Sequence, residues 1–530
     1  MPAFGRSFYI RSFAASVLLT GLAAAACAQS PFGEVVSGSD QIADEPRANE
    51  RDLLDRLEAA ERRIAELEAG QPLGGPGNSD SGSATLSNGT SGDKNGLAEQ
   101  LNSLQQDWNE FQRTQQKEKQ DARSKPTFDI GGRIQVDYWS FLEESDGIGY
   151  FEHPDADDPL FGVDPENRFL FRRIRLETEG TVPDLMFWRL QVDFNEPENP
   201  QMKDVYLGWE LPDNRRLIVG HQKLPLSLDA LYSSRFTTFM ERPQVVDAFV
   251  TDYRRLGAML YGNSNDLLFN WRYGIFETAN IQDPGRYIGD SLQLGGYGRL
   301  ASTPWYDEAN GGRNYLHLGV AGSVVRPDGD VTDADSNDNV ARFAARPEGR
   351  TDGRWIDTGP IRGAQWYQQM GLEAVINVGA LQLTGEFMST WVQRDSTTAG
   401  TGPDVNFHGG YVQAGYFLTG EHIPWDRESG TVDRMRPYEN FFLVDRCLGG
   451  TGHGWGAWQI AARYDYLDLT DSDIQGGVEN NLTLALNWWW NAYARLQFNV
   501  TRGLIEQHRR VGGFDSGDFW LAGTRFAIDF

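Results

Sequence analysis

The amino-acid sequence predicts an all-β chain: a sixteen-stranded antiparallel transmembrane β-barrel with an N-terminal α-helical coiled-coil extension. Three observations lead there. In 530 residues, 59 Gly occur with 16 Trp, 19 Tyr and 29 Phe, and turn formers enriched together with aromatics suit antiparallel sheets with many tight turns. A mean hydropathy of −0.50, with no apolar run of about 18 residues beyond the N-terminus, excludes a helical membrane protein but not a barrel, whose alternating strands average to polar. Beyond Pro126, apolar residues recur at every second position rather than at helical spacing. The formal net charge of −27, from 75 Asp and Glu against 48 Lys and Arg, argues against nucleic acid as a partner, because phosphate backbones need basic surface.

The first thirty residues read as an export signal. Arg6 and Arg11 precede the apolar stretch Phe13 to Ala26, and Ala26-Cys27-Ala28 supplies the small residues of a cleavage site. Residues 1–28 are therefore expected to be a signal peptide cut after Ala28. One rival is an uncleaved anchor, for which the apolar stretch is short; another is a lipoprotein site at Cys27, where Ala24 stands in place of the usual Leu. Cleavage after Ala28 leaves Cys447 without a partner, and a lone thiol in an exported chain suggests burial or lipid-side packing rather than catalysis.

Residues 29–126 are expected to be helical in two places. Leu53, Leu57, Ala60, Ile64 and Leu67 in segment 50–69, and Leu97, Leu101, Leu104, Trp108 and Phe111 in segment 97–118, fall at alternating spacings of four and three, the seam of a coiled coil. About three heptads is short for an isolated helix, so the seams imply association with copies of the chain; single surface helices are the alternative. Between them, the Gly/Ser-rich stretch 70–96 with Pro72 and Pro76 reads as a flexible linker.

Residues 127–530 divide into sixteen candidate strands, near 127–141, 167–180, 186–195, 201–211, 215–223, 253–262, 266–277, 289–301, 313–325, 364–378, 380–394, 407–420, 455–468, 478–490, 492–503 and 518–530. That spacing, about 25 residues per strand with its connection, suits a large transmembrane barrel. Met186, Trp188, Leu190, Val192 and Phe194 alternate with Phe187, Arg189, Gln191, Asp193 and Asn195, giving one apolar and one mostly polar face. A β-sandwich or propeller also alternates. Here, however, no blade-like repeat is visible, and the apolar faces are dense in aromatics near strand ends, like the girdles of a lipid-facing wall. The final strand places Trp520, Ala522, Thr524, Phe526, Ile528 and Phe530 on one face, resembling the signal read by outer-membrane barrel assembly machinery.

Three segments, Arg168–Asn195 (RFLFRRIRLETEGTVPDLMFWRLQVDFN), Ile218–Pro243 (IVGHQKLPLSLDALYSSRFTTFMERP) and Gly409–Glu421 (GGYVQAGYFLTGE), resemble the phosphate-selective porin O and P family of bacterial outer membranes. The middle one is the most specific, with its VG-x-x-K-x-P strand end followed by Ser-Ser-Arg and Phe-Met-Glu-Arg. The resemblance spans most of 127–530. It implies a homotrimeric sixteen-stranded barrel in outer-membrane lipid, a third loop folded into the lumen, and basic side chains lining a constriction that passes small anions such as phosphate. Residues 29–126 lie outside the matched part; beside such a barrel they are expected in the periplasm, holding a trimer together or binding the cell wall.

The residues supply a mechanism of their own. A pore selects ions by charge facing a lumen whose low-dielectric walls focus the field. Alternation puts Arg173, Arg175, Glu177 and Glu179 on the polar face of one strand, with Ile174, Leu176 and Thr178 facing out, and puts Arg189 on the polar face of the next. Arg172 breaks that pattern and is expected near a strand end. The segment Lys223–Arg242 lacks clean alternation and contains Pro225 and Ser227, so it is the candidate inward loop, with Lys223, Arg235 and Arg242 aimed at the solute. The expected pore-lining, anion-binding set is thus Arg172, Arg173, Arg175, Arg189, Lys223, Arg235 and Arg242; the alternative is that these cations merely neutralise acids in a polar lumen. Glu166–Arg255 holds thirteen Lys and Arg against fourteen Asp and Glu, while Leu142–Pro165 holds eight acids and no Lys or Arg. An acidic vestibule of that kind would repel anions and make the channel weakly selective or cation-preferring.

No catalytic, cofactor or metal site is expected. Asp333, Asp335 and Asn337 begin like a calcium loop, but Asp338 replaces its glycine and Ala344 stands at the twelfth position. The seven His show no zinc spacing, and neither a nucleophile elbow nor a Gly-rich phosphate loop is present. The expected function is passive diffusion of small hydrophilic solutes. Its rivals are an outer-membrane anchor or cell-wall tether using the coiled coil, and a secreted soluble β-rich carbohydrate-binding protein.

Overall fold

The computed structural model describes residues 125–530 apart from 184, 251–252, 282–292, 328–339, 398–399 and 446–450, together with residues 106, 113 and 114. The signal peptide, both heptad seams, the linker, the Asp333–Asn337 run and Cys447 lie outside the described residues.

Sixteen strands form a closed antiparallel barrel in sequence order: β1 (Asp129–Glu144), β2 (Arg168–Val182), β3 (Met186–Asp193), β4 (Gln201–Leu211), β5 (Arg215–Lys223), β6 (Arg254–Asn263), β7 (Phe269–Glu277), β8 (Leu294–Tyr306), β9 (Asn314–Val325), β10 (Ala364–Val378), β11 (Leu381–Arg394), β12 (Val405–Phe417), β13 (Ala457–Asp471), β14 (Ile474–Trp489), β15 (Ala494–His508) and β16 (Gly517–Asp529). Closure pairs β1 with β16, from Arg133 opposite Asp529 to Tyr138 opposite Thr524. Every expected strand has its counterpart. The largest displacement is in β8, which continues to Tyr306 rather than ending near 301. Pro304 does not stop it, because a bulge between Ser302 and Trp305 takes up the residue that has no N–H to donate.

Side chains follow the alternation. Phe169, Ile275 and Leu484 stand outward and exposed, at 78%, 60% and 56%, while Arg133, Gln135 and Asp137 point inward and are buried. An apolar outer wall around a polar interior is the arrangement that lipid selects.

At the end carrying the start of β1 and the end of β16, most connections are tight turns, such as 212–214 and 379–380, but the β12–β13 connection runs from 418 to 456. At the opposite end, α1 (Asp146–Glu152) lies between β1 and β2. The β5–β6 connection Leu224–Tyr253 carries α2 (Leu228–Leu231) and α3 (Gln244–Phe249).

Three connections fold into the barrel and build its core there. Leu226, Val245, Val246 and Phe249 of the β5–β6 loop pack with Met388, Phe407 and Leu467 of the wall and with Phe343 and Trp355 of the β9–β10 connection. Each large apolar side chain buried this way contributes about 1.5–3 kcal/mol. The approach is close: a Cβ on Gly409 would stand 3.0 Å from Val245 Cγ2 and 2.6 Å from the Tyr466 carbonyl. From the other end, Ile423, Trp425, Val432 and Met435 of the 418–456 connection join Leu228 and Tyr232 in a second cluster. Tyr315 Oη donates to the Ile423 carbonyl at 3.0 Å, tying this connection to the inner wall.

Candidate functional site

The arginines of β2 reach the lumen through a break in register. β1 pairs Gln135 with Arg173 but Val136 with Phe171, leaving Arg172 as the extra residue of a β-bulge. A bulge shifts the alternation by one, so Phe169 and Phe171 face outward while Arg173 and Arg175, of the same parity, face inward. Arg172 therefore lies within β2, not near a strand end as the sequence suggested, and it too points inward, where Glu241 meets it at 2.7 Å.

The inward loop covers only part of the inner wall. Between it and β2–β7 lies a cavity of about 1040 Å³, bounded also by 344–354 of the β9–β10 connection and by Asp426, Glu428 and Ser429. Glu196, in the β3–β4 connection, lines it at one end, and Asn214, Asn265 and Leu267, in turns, line it at the other. The cavity thus runs the length of the barrel wall. Its described lining holds fourteen Arg and Lys against eight Asp and Glu, an excess of six positive charges in a chain whose net charge is −27. None of the eight acids of Leu142–Pro165 is among them. Charge counted along a linear segment does not see which side chains share a face.

Of the seven cations singled out in the sequence, Arg172, Arg173, Arg175, Arg189, Lys223 and Arg242 line this cavity. Most are also held by acids: Arg175 by Asp193 at 2.6 Å, Arg189 by Glu177 at 3.0 Å and Arg242 by Asp229 at 2.6 Å. Two are held differently. Lys223 Nζ donates to the carbonyls of Leu231 and Tyr232 at 2.6 and 2.8 Å, and Arg173 Nη1 donates to Gln135 Oε1 at 2.7 Å; neither forms an ion pair among the described residues. Arg235 is placed elsewhere. It pairs with Glu177 and, at 3.1 Å, with Asp529, between the loop and the wall rather than on the cavity.

Sequence reasoning missed Arg346, Arg350 and Arg354, which line the cavity from the β9–β10 connection. With Arg342 they recur every fourth residue, a regularity that would have drawn attention to them. Arg350 Nη1 lies 3.2 Å from Asp247 Oδ1. Burial alone would raise the Asp247 carboxyl, but Arg350, the Arg346 N–H and the Tyr253 hydroxyl hold it below its ordinary value. Burial, with the neighbouring Arg350 and Arg354, pushes the Arg346 guanidinium down. Among the described residues no group of three or more His, Cys, Asp and Glu is placed to hold a metal ion.

The family described as Phosphate-selective porin O and P matches residues 154–511. An uncharacterized protein of Caulobacter vibrioides is 29% identical over 417 residues, covering 76% of this chain and 74% of its own. Similar solved structures include the outer membrane channel DcaP of Acinetobacter baumannii, at 11% identity and TM-score 0.45 over 77% of this chain and 98% of that one. OmpT of Vibrio cholerae in its trimer form is another, at 11% identity and TM-score 0.43 over 76% of this chain and 99% of that one. Because the family match takes in more than half of the sequence, this chain belongs to the phosphate-selective porin O and P family of outer-membrane channels.

Proposed function

We propose that the channel passes small hydrophilic solutes by passive diffusion and prefers anions, phosphate among them. The observation that carries this reading is the excess of six positive charges lining a wall-length cavity of a strongly acidic chain. Low-dielectric walls focus that field and raise the local concentration of anions. Arg173 and Lys223, without carboxylate partners, offer their charge to a solute. The paired arginines supply a fixed lining whose acids are already neutralised. In this reading the protein works as a homotrimer, residues 1–28 are the export signal, and residues 29–126 lie in the periplasm, where the heptads associate with one another or with the cell wall.

The test is the reversal potential of the purified protein in planar bilayers under a potassium chloride gradient, repeated with added phosphate. The expected result is a potential of the sign set by chloride flow and a chloride current reduced by phosphate. A cation-selective potential would remove the anion preference and leave the channel; no conductance would remove both.

A further inference from the structure

A second, much smaller void lies between Arg235 of the inward loop and the wall formed by β14, β15, β16 and β1. Its volume is about 20 Å³. A buried water needs roughly 10–15 Å³, so the void has room for a particle of water or halide size. Its polar lining is Arg133, Gln135, Arg235, Arg495 and Asp529, with Trp489 and Tyr493 among the rest.

The charges around it do not balance. Arg133 and Arg235 share Glu177, while Arg235 and Arg434 share Asp529. Arg495 has no carboxylate and donates instead to the Thr237 carbonyl at 2.9 Å. The described lining itself thus holds three guanidinium groups and one carboxylate. Donors are also left over: Nε of Arg133 and Nε of Arg235 are buried without a hydrogen-bond acceptor. The Arg235 Nε does stand 3.1 Å from Asp529 Oδ2, but it is not aligned to donate to it. Surplus donors around a surplus of positive charge suit a particle that only accepts. Water would have to donate as well, and Asp529, already engaged by two arginines, is the one carboxylate in the lining.

We propose that this void binds a halide-sized monovalent anion, chloride in ordinary salt, which pins the inward loop to the seam where β16 closes on β1. The site shares Arg133 with the large cavity, and its occupancy does not depend on which ions the channel prefers.

Two measurements on the full-length protein test it. Crystals grown in bromide are expected to show an anomalous peak among Arg133, Arg235 and Arg495; density without anomalous signal there would mean water and overturn the proposal. In detergent, the unfolding midpoint is expected to be higher in sodium chloride than in sodium gluconate at equal ionic strength, and Arg495→Gln should lose that increment. If Arg495→Gln does not form a barrel, Arg235→Gln serves in its place. An increment equal in wild type and the folded variant would overturn the assignment.

Discussion

The two halves of the inner wall carry the same residue type on the same face and use it differently. On β13, β15 and β16, Arg463, Arg495 and Arg525 lie under the inward loop and are buried. Arg463 and Arg495 donate at 2.9 Å to the carbonyls of Glu241 and Thr237, and Arg525 donates to that of Met240. On β2–β7, Arg173, Arg175, Arg189 and Arg254 line the cavity instead, although Arg173 and Arg254 are as nearly buried as the covered set. Inward parity is common to both sets; the cover is not. Each arginine beneath the loop gives a donor to one of its backbone carbonyls and holds the loop, whereas those lining the cavity make no such contact with the loop's 237–241 stretch and direct their field at the cavity.

The largest effect expected from breaking this contrast is on the covered side. Arg525 lies 2.6 Å from both Asp137 and Glu241, so Arg525→Met strands buried carboxylates and should cost about 3–5 kcal/mol. The check is thermal unfolding of the purified barrel; a midpoint close to wild type would refute the idea that this side holds the loop.

On the open side the effects should be smaller and should separate. Arg175→Gln leaves Asp193 without its charge partner and is expected to cost roughly 1–3 kcal/mol as well as part of the anion preference. Arg173→Gln, which breaks no ion pair but loses the hydrogen bond to Gln135, should lower the preference at a cost of about 0.5–1.5 kcal/mol. Reversal potentials and unfolding midpoints of the two variants, measured side by side, decide this. Equal destabilisation by both would show that pairing does not distinguish them.

The smallest effect is the dependence on pH at the loop itself. Asp247 titrates below its ordinary value because of Arg350, the Arg346 N–H and the Tyr253 hydroxyl, despite its burial. A depressed carboxyl stabilises the fold above the ordinary carboxylate value, about 4, and loses that contribution as pH falls through the depressed one. Asp247→Asn should therefore be less stable than wild type at pH 7, with the gap closing in acid. A gap that widened below about pH 4 would contradict that sign.

Much of the fold was legible because strand periodicity is local. Sixteen strands could be read from alternation alone, and the end of β8 moved because of a bulge around Pro304. Arg172 was misplaced for the same kind of reason, since one extra residue in β2 shifts the parity and the sequence does not mark it. The inward loop was visible as a failure of alternation after Lys223. The basic β9–β10 connection and the 418–456 connection were not recognised as inward, because an irregular segment looks the same whether it meets solvent or a wall.

The sequence by itself determined the strand count and the inner and outer faces, both consequences of a two-residue period. Tertiary structure decided which cations face water. Arg495 is silenced by Thr237, 258 residues away, while Arg173 lines the cavity. Parity sets only the direction in which a side chain points; what it meets there depends on loops that return from distant parts of the chain, held by hydrophobic burial and by carbonyls that need donors.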